Sequence, residues 1–350
     1  MQESGFKVAV VGATGKVGRE IIEILNTRKF PISRLFPIAS DNSVDKQILF
    51  GRYNKIPVET LRNNSFDGID FAFFATSADI SAKYIGLAIK SGCIVIDNSS
   101  YFRKTTDIPL IVPEINPEQL YNYKNKNIIC NPNCVAIQTL MAIKNFHELS
   151  EITKITLSTY QSISGAGQYA VDQLYHQTKN KFMADLGYNA PKADEDYTKY
   201  VFNCVPQIGN LMPSNDYEEE DKIKYEIKRI LNAPEITVNA TCVRVPVFTG
   251  HGISLHLQLE EKINIEELKA LLESNNDIYF GDNDVFTNEN IAKTDHVCLS
   301  RLRPENNEND PNIKEADAFN LWIMADNIRK GAALNAVQIA ELLLKPIVSN

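Results

Sequence analysis

The chain has 350 residues, 44% of them apolar and 23% charged, with a formal net charge of −8. That length exceeds what one hydrophobic core usually supports and points to two domains. The acidic balance argues against a nucleic-acid backbone or a membrane surface as the main partner, although local charge still decides whether a small anion binds.

The six cysteines, at positions 93, 130, 134, 204, 242 and 298, form no CxxC pair. Zinc-site spacing is therefore absent and no metal is expected. The opening MQESGFKVAVVGA is too polar, and too short before its first strand, for a signal peptide. No apolar run reaches the roughly 18 residues of a membrane helix. A reducing cytoplasm with free thiols is the expected setting.

In chain order, FKVAVVGA (6–13) is a continuous apolar run ending in glycine, as a buried parallel strand reads. Residues 15–27 then show helical spacing, with Val17, Ile21, Ile22 and Leu25 on one face. Strands are expected at 33–40, 68–76 and 92–100, with a helix over 79–91. This strand–helix cadence predicts a doubly wound sheet. A helix from Cys134 to about His147 marks a change of pattern. Beyond it, 151–167 alternates like a strand with one wet face, a helix covers 168–186, and 188–217 reads as a long loop. Residues 218–231 are amphipathic; 236–247, 252–259 and 318–326 are strand-like; 329–345 is a strong final helix. The polar stretch RPENNENDPNIKE (303–315) reads as a surface insert.

The segment VVGATGKVG, with Gly12, Gly15 and Gly18, follows the first strand and opens a helix. Small residues there let the backbone approach a pyrophosphate, and the helix N-terminus offers unbonded N–H groups. The strand–turn–helix context is what a dinucleotide fingerprint demands, and a plain βα turn is the alternative. Gly12, Thr14, Gly15, Lys16 and Val17 are the expected cofactor contacts. The second strand runs into Ser40-Asp41-Asn42-Ser43. Asp41 would repel a 2′-phosphate and suit NAD, whereas Ser40, Ser43 and Lys46 suit NADP. The residues argue both ways.

NPNC (131–134) sets a cysteine at a helix start, where free N–H groups and the helix dipole stabilise a thiolate. Asn133 is placed to cap that helix or to donate a bond. A small buried hydrophobe is the competing role for such a thiol. A thiolate beside a nicotinamide suggests hydride transfer through a thioester, which needs an acid/base partner. Of the histidines, His251 stands out in VRVPVFTGHGIS, between two glycines at a turn.

GATGKVG, DNSSYFR, NPNC, TYQSISGAG, EEEDKIKYEIKRIL, RVPVFTGHG and ADNIRKGAALNAVQIAE occur in this order from about residue 6 to 345. Together they resemble the aspartate-semialdehyde dehydrogenases. The resemblance implies an enzyme that converts L-aspartyl 4-phosphate and NADPH to L-aspartate 4-semialdehyde, phosphate and NADP, on the route to lysine, diaminopimelate, threonine, methionine and isoleucine. It implies a Rossmann-type dinucleotide-binding domain, residues 1–133 with 330–350, and an α+β catalytic and dimerisation domain with a mixed sheet, residues 134–329, in a cytoplasmic homodimer. By the same resemblance Cys134 is the nucleophile and His251 the acid/base. Gln161 orients the substrate, Arg244 takes its α-carboxylate and Glu219 its amino group, while Arg103, Asn133 and Lys222 bind phosphate. Ser164 and Gly165 lie under the nicotinamide, and Asn327 lies near its amide. Chemically, a two-pronged arginine suits a carboxylate, and Glu219 and Lys222, three apart on a helix, share a face. Asn42 departs from the family, many of whose members carry arginine there; NAD or dual use is therefore expected as an alternative to NADP. An N-acetylglutamyl-phosphate reductase and a non-enzymatic dinucleotide-binding protein are the rival readings. Glu219, which suits a free amino group, argues against the first, and the intact Cys134, Gln161, Arg244 and His251 argue against the second.

Overall fold

The computed structural model describes residues 5–43, 45–185, 198–305 and 313–344. The chain divides into two compact units: Met1–Ile137 with Arg229–Asn232 and Ile328–Asn350, and Gln138–Lys228 with Ala233–Asn327.

Among the described residues of the first unit, the strands are β1 (Phe6–Val11), β2 (Ile32–Ala39), β3 (Gln47–Phe50), β4 (Asn54–Pro57), β5 (Glu59–Thr60), β6 (Phe71–Phe74), β7 (Ile94–Asp97) and β8 (Ile128–Cys130). Six form a parallel sheet in the order β5-β2-β1-β6-β7-β8, with β3 and β4 as a separate hairpin. That is the 3-2-1-4-5-6 order of dinucleotide-binding folds, reversing between β1 and β6. Helix α1 (Lys16–Thr27) buries Ile21, Ile22, Ile24 and Leu25, and α2 (Ala78–Lys90) buries Ile85 and Ala88. The sheet strands are buried on both faces, which is why FAFF and IVID read as unbroken apolar runs. Val8, Val10, Phe71 and Phe73 join the α1 residues and Leu334, Val337 and Ile339 of the C-terminal helix (Leu334–Leu344) in one core. That helix is preceded by a π-helical turn, Arg329–Ala333, where a continuous α-helix is expected from the sequence.

Helix α3 (Cys134–Leu149) begins in the first unit. The second unit has strands β9 (Ile152–Gln161), β10 (Thr237–Arg244), β11 (His251–Asn264), β12 (Ile278–Phe280), β13 (Val297–Pro304) and β14 (Glu315–Ala325). They form a sheet in the order β10-β9-β11-β14-β13-β12. The sheet is mixed: β9/β10 and β12/β13 are parallel, the other pairs antiparallel. Its helices include α4 (Gln168–Asp185), α5 (Glu218–Ile230) and α6 (Ile265–Ser274). The sequence reading does not anticipate β3 to β5, β8, β12, β13 or α6. Five of those strands are only two to four residues long, too short for alternation to show. Most of the expected insert (306–312) and part of the expected loop (188–197) lie outside the described residues.

Candidate active site

In the second unit, strand register lines up three expected site residues. Arg244 of β10 pairs with Gln161 of β9, and Gln161 pairs with His251 of β11. Partners across a ladder point to the same sheet face, so this row projects a guanidinium, an amide and an imidazole together. All three are buried. A one-residue slip of β9 would turn Gln161 to the opposite face.

Hydrogen bonds tie further residues to the row. Gln161 Nε2 donates to Glu219 Oε1 at 3.1 Å, and Gln161 Oε1 accepts from Thr159 Oγ1 at 3.0 Å, so both ends of the amide are oriented. Glu219 is in the first turn of α5, where acids suit the helix dipole. Arg244 Nη1 donates to the Ser162 carbonyl at 3.0 Å, and its guanidinium packs on Gly165, where a Cβ would lie 2.8 Å from Nη1. Gly165 therefore makes room for an arginine. Ser164 and Asn327 are also in the cluster: Asn327 Oδ1 accepts from Ser162 Oγ (3.1 Å), Ser164 Oγ (3.2 Å) and the Gly250 N–H (2.9 Å). Lys222 lies one turn beyond Glu219 on α5 and is half-buried.

His251 has a defined tautomer. Its Nδ1 accepts the Ser162 backbone N–H at 3.0 Å, with Ser162 Oγ at 3.2 Å. A nitrogen that accepts from a backbone amide carries no hydrogen, so the neutral ring holds its proton on Nε2. Nε2 is fully buried and has no hydrogen-bond partner among the described residues. Burial, reinforced by the Arg244 charge, pushes the His251 pKa down to about 3. At neutral pH this group is a buried N–H donor.

In the first unit the glycine-rich turn leaves the carboxyl end of β1, next to the point where strand order reverses. Gly12 has φ +85, which favours glycine, and a Cβ there would strike the Ala75 carbonyl. Gly15 N–H closes the turn on Gly12 O at 2.9 Å. The N-cap of α1 is Gly15, with no side-chain cap, and no acid lies in the first turn, so no carboxylate competes for the amides there. This arrangement fits a dinucleotide pyrophosphate. Thr14 Oγ1 and Ser43 Oγ lie 3.2 Å apart, joining the turn to the loop after β2, while Ser40 and Asn42 are exposed. Lys16 and Val17, both half-buried, open α1.

The same unit carries the cysteine turn. Cys134 is the first residue of α3 and half-buried. Asn133 Oδ1 accepts the Val135 and Ala136 N–H groups at 2.8 and 3.3 Å, an N-cap of α3. With Oδ1 in the cap, what Asn133 can offer an anion is its Nδ2 donor. Arg103 is buried and donates to Asn98 O at 2.7 Å. The turn before it is pinned by Asp97, which accepts Ser81 Oγ, Ser99 N–H and Ser99 Oγ at 2.8–2.9 Å. Burial raises the Asp97 pKa against these bonds.

Several supporting residues go unnoticed in the sequence. Arg229 donates to the carbonyls of Arg103, Thr106 and Ile108 and so clamps the loop that bears Arg103. Lys330, 2% exposed, binds Glu114 (2.6 Å), Gln338 (2.8 Å) and Asn335 (3.1 Å). Asn335 in turn donates to Asn131 Oδ1 at 2.7 Å, in the turn that leads to Cys134. Glu114, Asn131 and the loop held by Arg229 are more than a hundred residues from their partners, and no local pattern signals them.

The semialdehyde dehydrogenase NAD-binding domain model matches residues 7–123, and the semialdehyde dehydrogenase dimerisation domain model matches residues 143–330. The chain is 41% identical over 345 residues to the aspartate-semialdehyde dehydrogenase of Rickettsia bellii (strain RML369-C), covering 97% of this chain and 98% of that one. It belongs to the aspartate-semialdehyde dehydrogenase family. The crystal structure of aspartate semialdehyde dehydrogenase II from Vibrio cholerae matches it with a TM-score of 0.90 at 40% identity, covering 98% of this chain and 100% of that one. The structure of aspartate semialdehyde dehydrogenase II from V. cholerae complexed with ASA matches with a TM-score of 0.90 at 39% identity, covering 98% and 99%. This member of the family is an oxidoreductase with a nicotinamide-dinucleotide domain and a dimerisation domain. Among its described residues no helix is long and apolar enough to cross a membrane.

Proposed function

We propose that this chain reduces L-aspartyl 4-phosphate to L-aspartate 4-semialdehyde with release of phosphate, using NADPH, as a cytoplasmic homodimer serving amino-acid biosynthesis. The observation that carries the reading is the buried Arg244–Gln161–His251 row with Glu219 bonded to Gln161. It offers a carboxylate fork, an amine acceptor and an N–H donor, the three things an amino-acid substrate with a reacting carbonyl requires. The dimerisation-domain match supports the homodimer, and six free thiols suit a reducing compartment.

In this reading the Cys134 thiolate adds to C4 of the acyl phosphate. The C4–OPO3 bond breaks, and phosphate departs toward Arg103, Lys222 and the Asn133 amide, leaving a thioester. The glycine-rich turn, Ser164, Gly165 and Asn327 would hold the nicotinamide cofactor, which would supply the hydride that the thioester carbon receives. His251 Nε2–H donates to the substrate oxygen as charge develops on it, and the tetrahedral oxyanion then reforms its carbonyl and expels the Cys134 thiolate. The neutral ring thus serves first as a hydrogen-bond donor. Glu219 holds the amino group and Arg244 the α-carboxylate. An N-acetylated glutamyl phosphate would leave Glu219 facing an uncharged amide.

The test is the reverse reaction: L-aspartate 4-semialdehyde, phosphate and NADP or NAD, followed by absorbance of the reduced nicotinamide. Phosphate-dependent reduction that vanishes in Cys134→Ala is the expected result. No reduction with either cofactor by folded protein would overturn the assignment.

A further inference from the structure

The loop after β2 carries an acid, Asp41, where a dinucleotide fold meets the adenosine ribose, and Asn42 brings no charge beside it. Strand pairing brings a cation there from elsewhere in the chain. The edge strand β5 runs parallel to β2, with Ala39 opposite Thr60, and Leu61 N–H donates to Ala39 O at 2.9 Å. Arg62 therefore leaves the carboxyl end of β5 beside the residues that leave the carboxyl end of β2. This is the end of the sheet at which open α/β folds bind ligands. Arg62 Nη2 donates to Asp41 Oδ1 at 2.8 Å and Nη1 approaches Oδ2 at 3.4 Å, while both side chains stay largely exposed. Ser43 of the same loop reaches Thr14 of the glycine-rich turn.

We propose that Arg62 is the residue that selects NADP, its guanidinium being held by Asp41 over the ribose position to receive the 2′-phosphate. The inference rests on the cofactor reading given above and names its selectivity element. An uncompensated Asp41 would repel a dianionic phosphate and accept the 2′-hydroxyl of NAD. Paired with Arg62, the carboxylate is neutralised. A guanidinium has five N–H donors, and the fork that faces Asp41 leaves others for a phosphate oxygen. One arginine thus reverses the preference that Asp41 alone would impose.

The test uses the full chain and two probes, 2′,5′-ADP and 5′-AMP, with dissociation constants from calorimetry at fixed salt. Wild type is expected to bind 2′,5′-ADP at least about tenfold tighter, roughly 1.4 kcal/mol. Arg62→Ala and Arg62→Gln lose that preference, with 5′-AMP affinity moving less than twofold, which also reports an intact fold. Asp41→Asn retains it. The NADP:NAD ratio of kcat/KM falls in parallel in both Arg62 variants. A 2′,5′-ADP:5′-AMP ratio that stays within twofold of wild type in both Arg62 variants overturns the proposal, as does a wild type with no preference. A wild type that binds neither probe and reduces neither cofactor removes the dinucleotide reading itself.

Discussion

The first unit carries its chemistry-bearing residues on turns at the carboxyl ends of parallel strands: the glycine-rich turn, the 40–43 loop, Arg103 and the Asn133–Cys134 cap. The second carries its own in one row of a strand ladder, Arg244, Gln161 and His251 side by side. A turn is shaped by local chemistry, such as a glycine with φ +85 or an Asn cap, and needs remote pins such as Lys330 and Arg229 to hold its place. A ladder row is placed by register and needs only short bonds to fix rotamers. The difference predicts that damage to the pins of the first unit shows chiefly in stability, and damage to the row chiefly in catalysis.

The largest effect expected is on Lys330. Lys330→Met strands Glu114, 9% exposed at its side chain, without its cation. Breaking a buried pair from one side costs about 3–5 kcal/mol. The double variant Lys330→Met/Glu114→Leu removes both charges and should recover much of that. Denaturant melts followed in the first unit decide it. Wild-type stability in Lys330→Met would refute the pin.

Removing the N–H of the row comes next. His251→Ala should lower kcat about 10²–10³-fold, as loss of one preorganised donor does. His251→Gln, which retains an N–H, recovers part of this and keeps more stability at neutral pH than His251→Ala, which opens a buried void and leaves the Ser162 N–H without its acceptor. A Gln variant as inactive as Ala, with wild-type kcat following a group of pKa near 6.5, would make His251 a base instead of a donor.

A smaller effect comes from acid. His251 is depressed to about 3 in the folded protein, from 6.5 when unfolded. Between those values the unfolded chain binds more protons, so its contribution is whole above about pH 6.5 and is lost as pH falls toward 3. At about pH 5 the loss is on the order of 2 kcal/mol. Wild type should therefore lose more stability than His251→Gln between neutral pH and pH 5. Parallel losses in the two proteins would show that His251 is not held neutral by burial.

Gly165→Ala is the mildest. Its methyl would press on Arg244 Nη1, so KM for the semialdehyde should rise several-fold with kcat nearly unchanged. An unchanged KM would mean that Arg244 yields without losing its carboxylate.

Legibility in the sequence follows the same division. VVGATGKVG and NPNC are contiguous, and turn chemistry made both readable before any fold was known. α6 has a legible start as well: Asn264 Oδ1 accepts the Glu266 and Glu267 N–H groups at 3.0 and 3.1 Å, an N-cap that an asparagine before two acids signals. The row was not readable from spacing, because Gln161 meets Arg244 and His251 only through strand pairing across more than eighty residues. Of its members only His251 stood out locally, as a histidine between two glycines; Gln161 and Arg244 came from the family resemblance. Ser162, whose amide fixes the His251 tautomer, carried no signal, since a backbone N–H has no letter of its own. Arg62 was hidden for the same reason as the row: its neighbour Asp41 lies in the loop that follows another strand.

The central claim is a thioester on Cys134. Incubating the protein with L-aspartate 4-semialdehyde and NADP, without phosphate, should leave it one aspartyl acyl group heavier by intact-mass spectrometry. Peptide mapping should place that group on Cys134, and adding phosphate should discharge it. No adduct, or an adduct on another cysteine that persists in Cys134→Ala, would contradict the account.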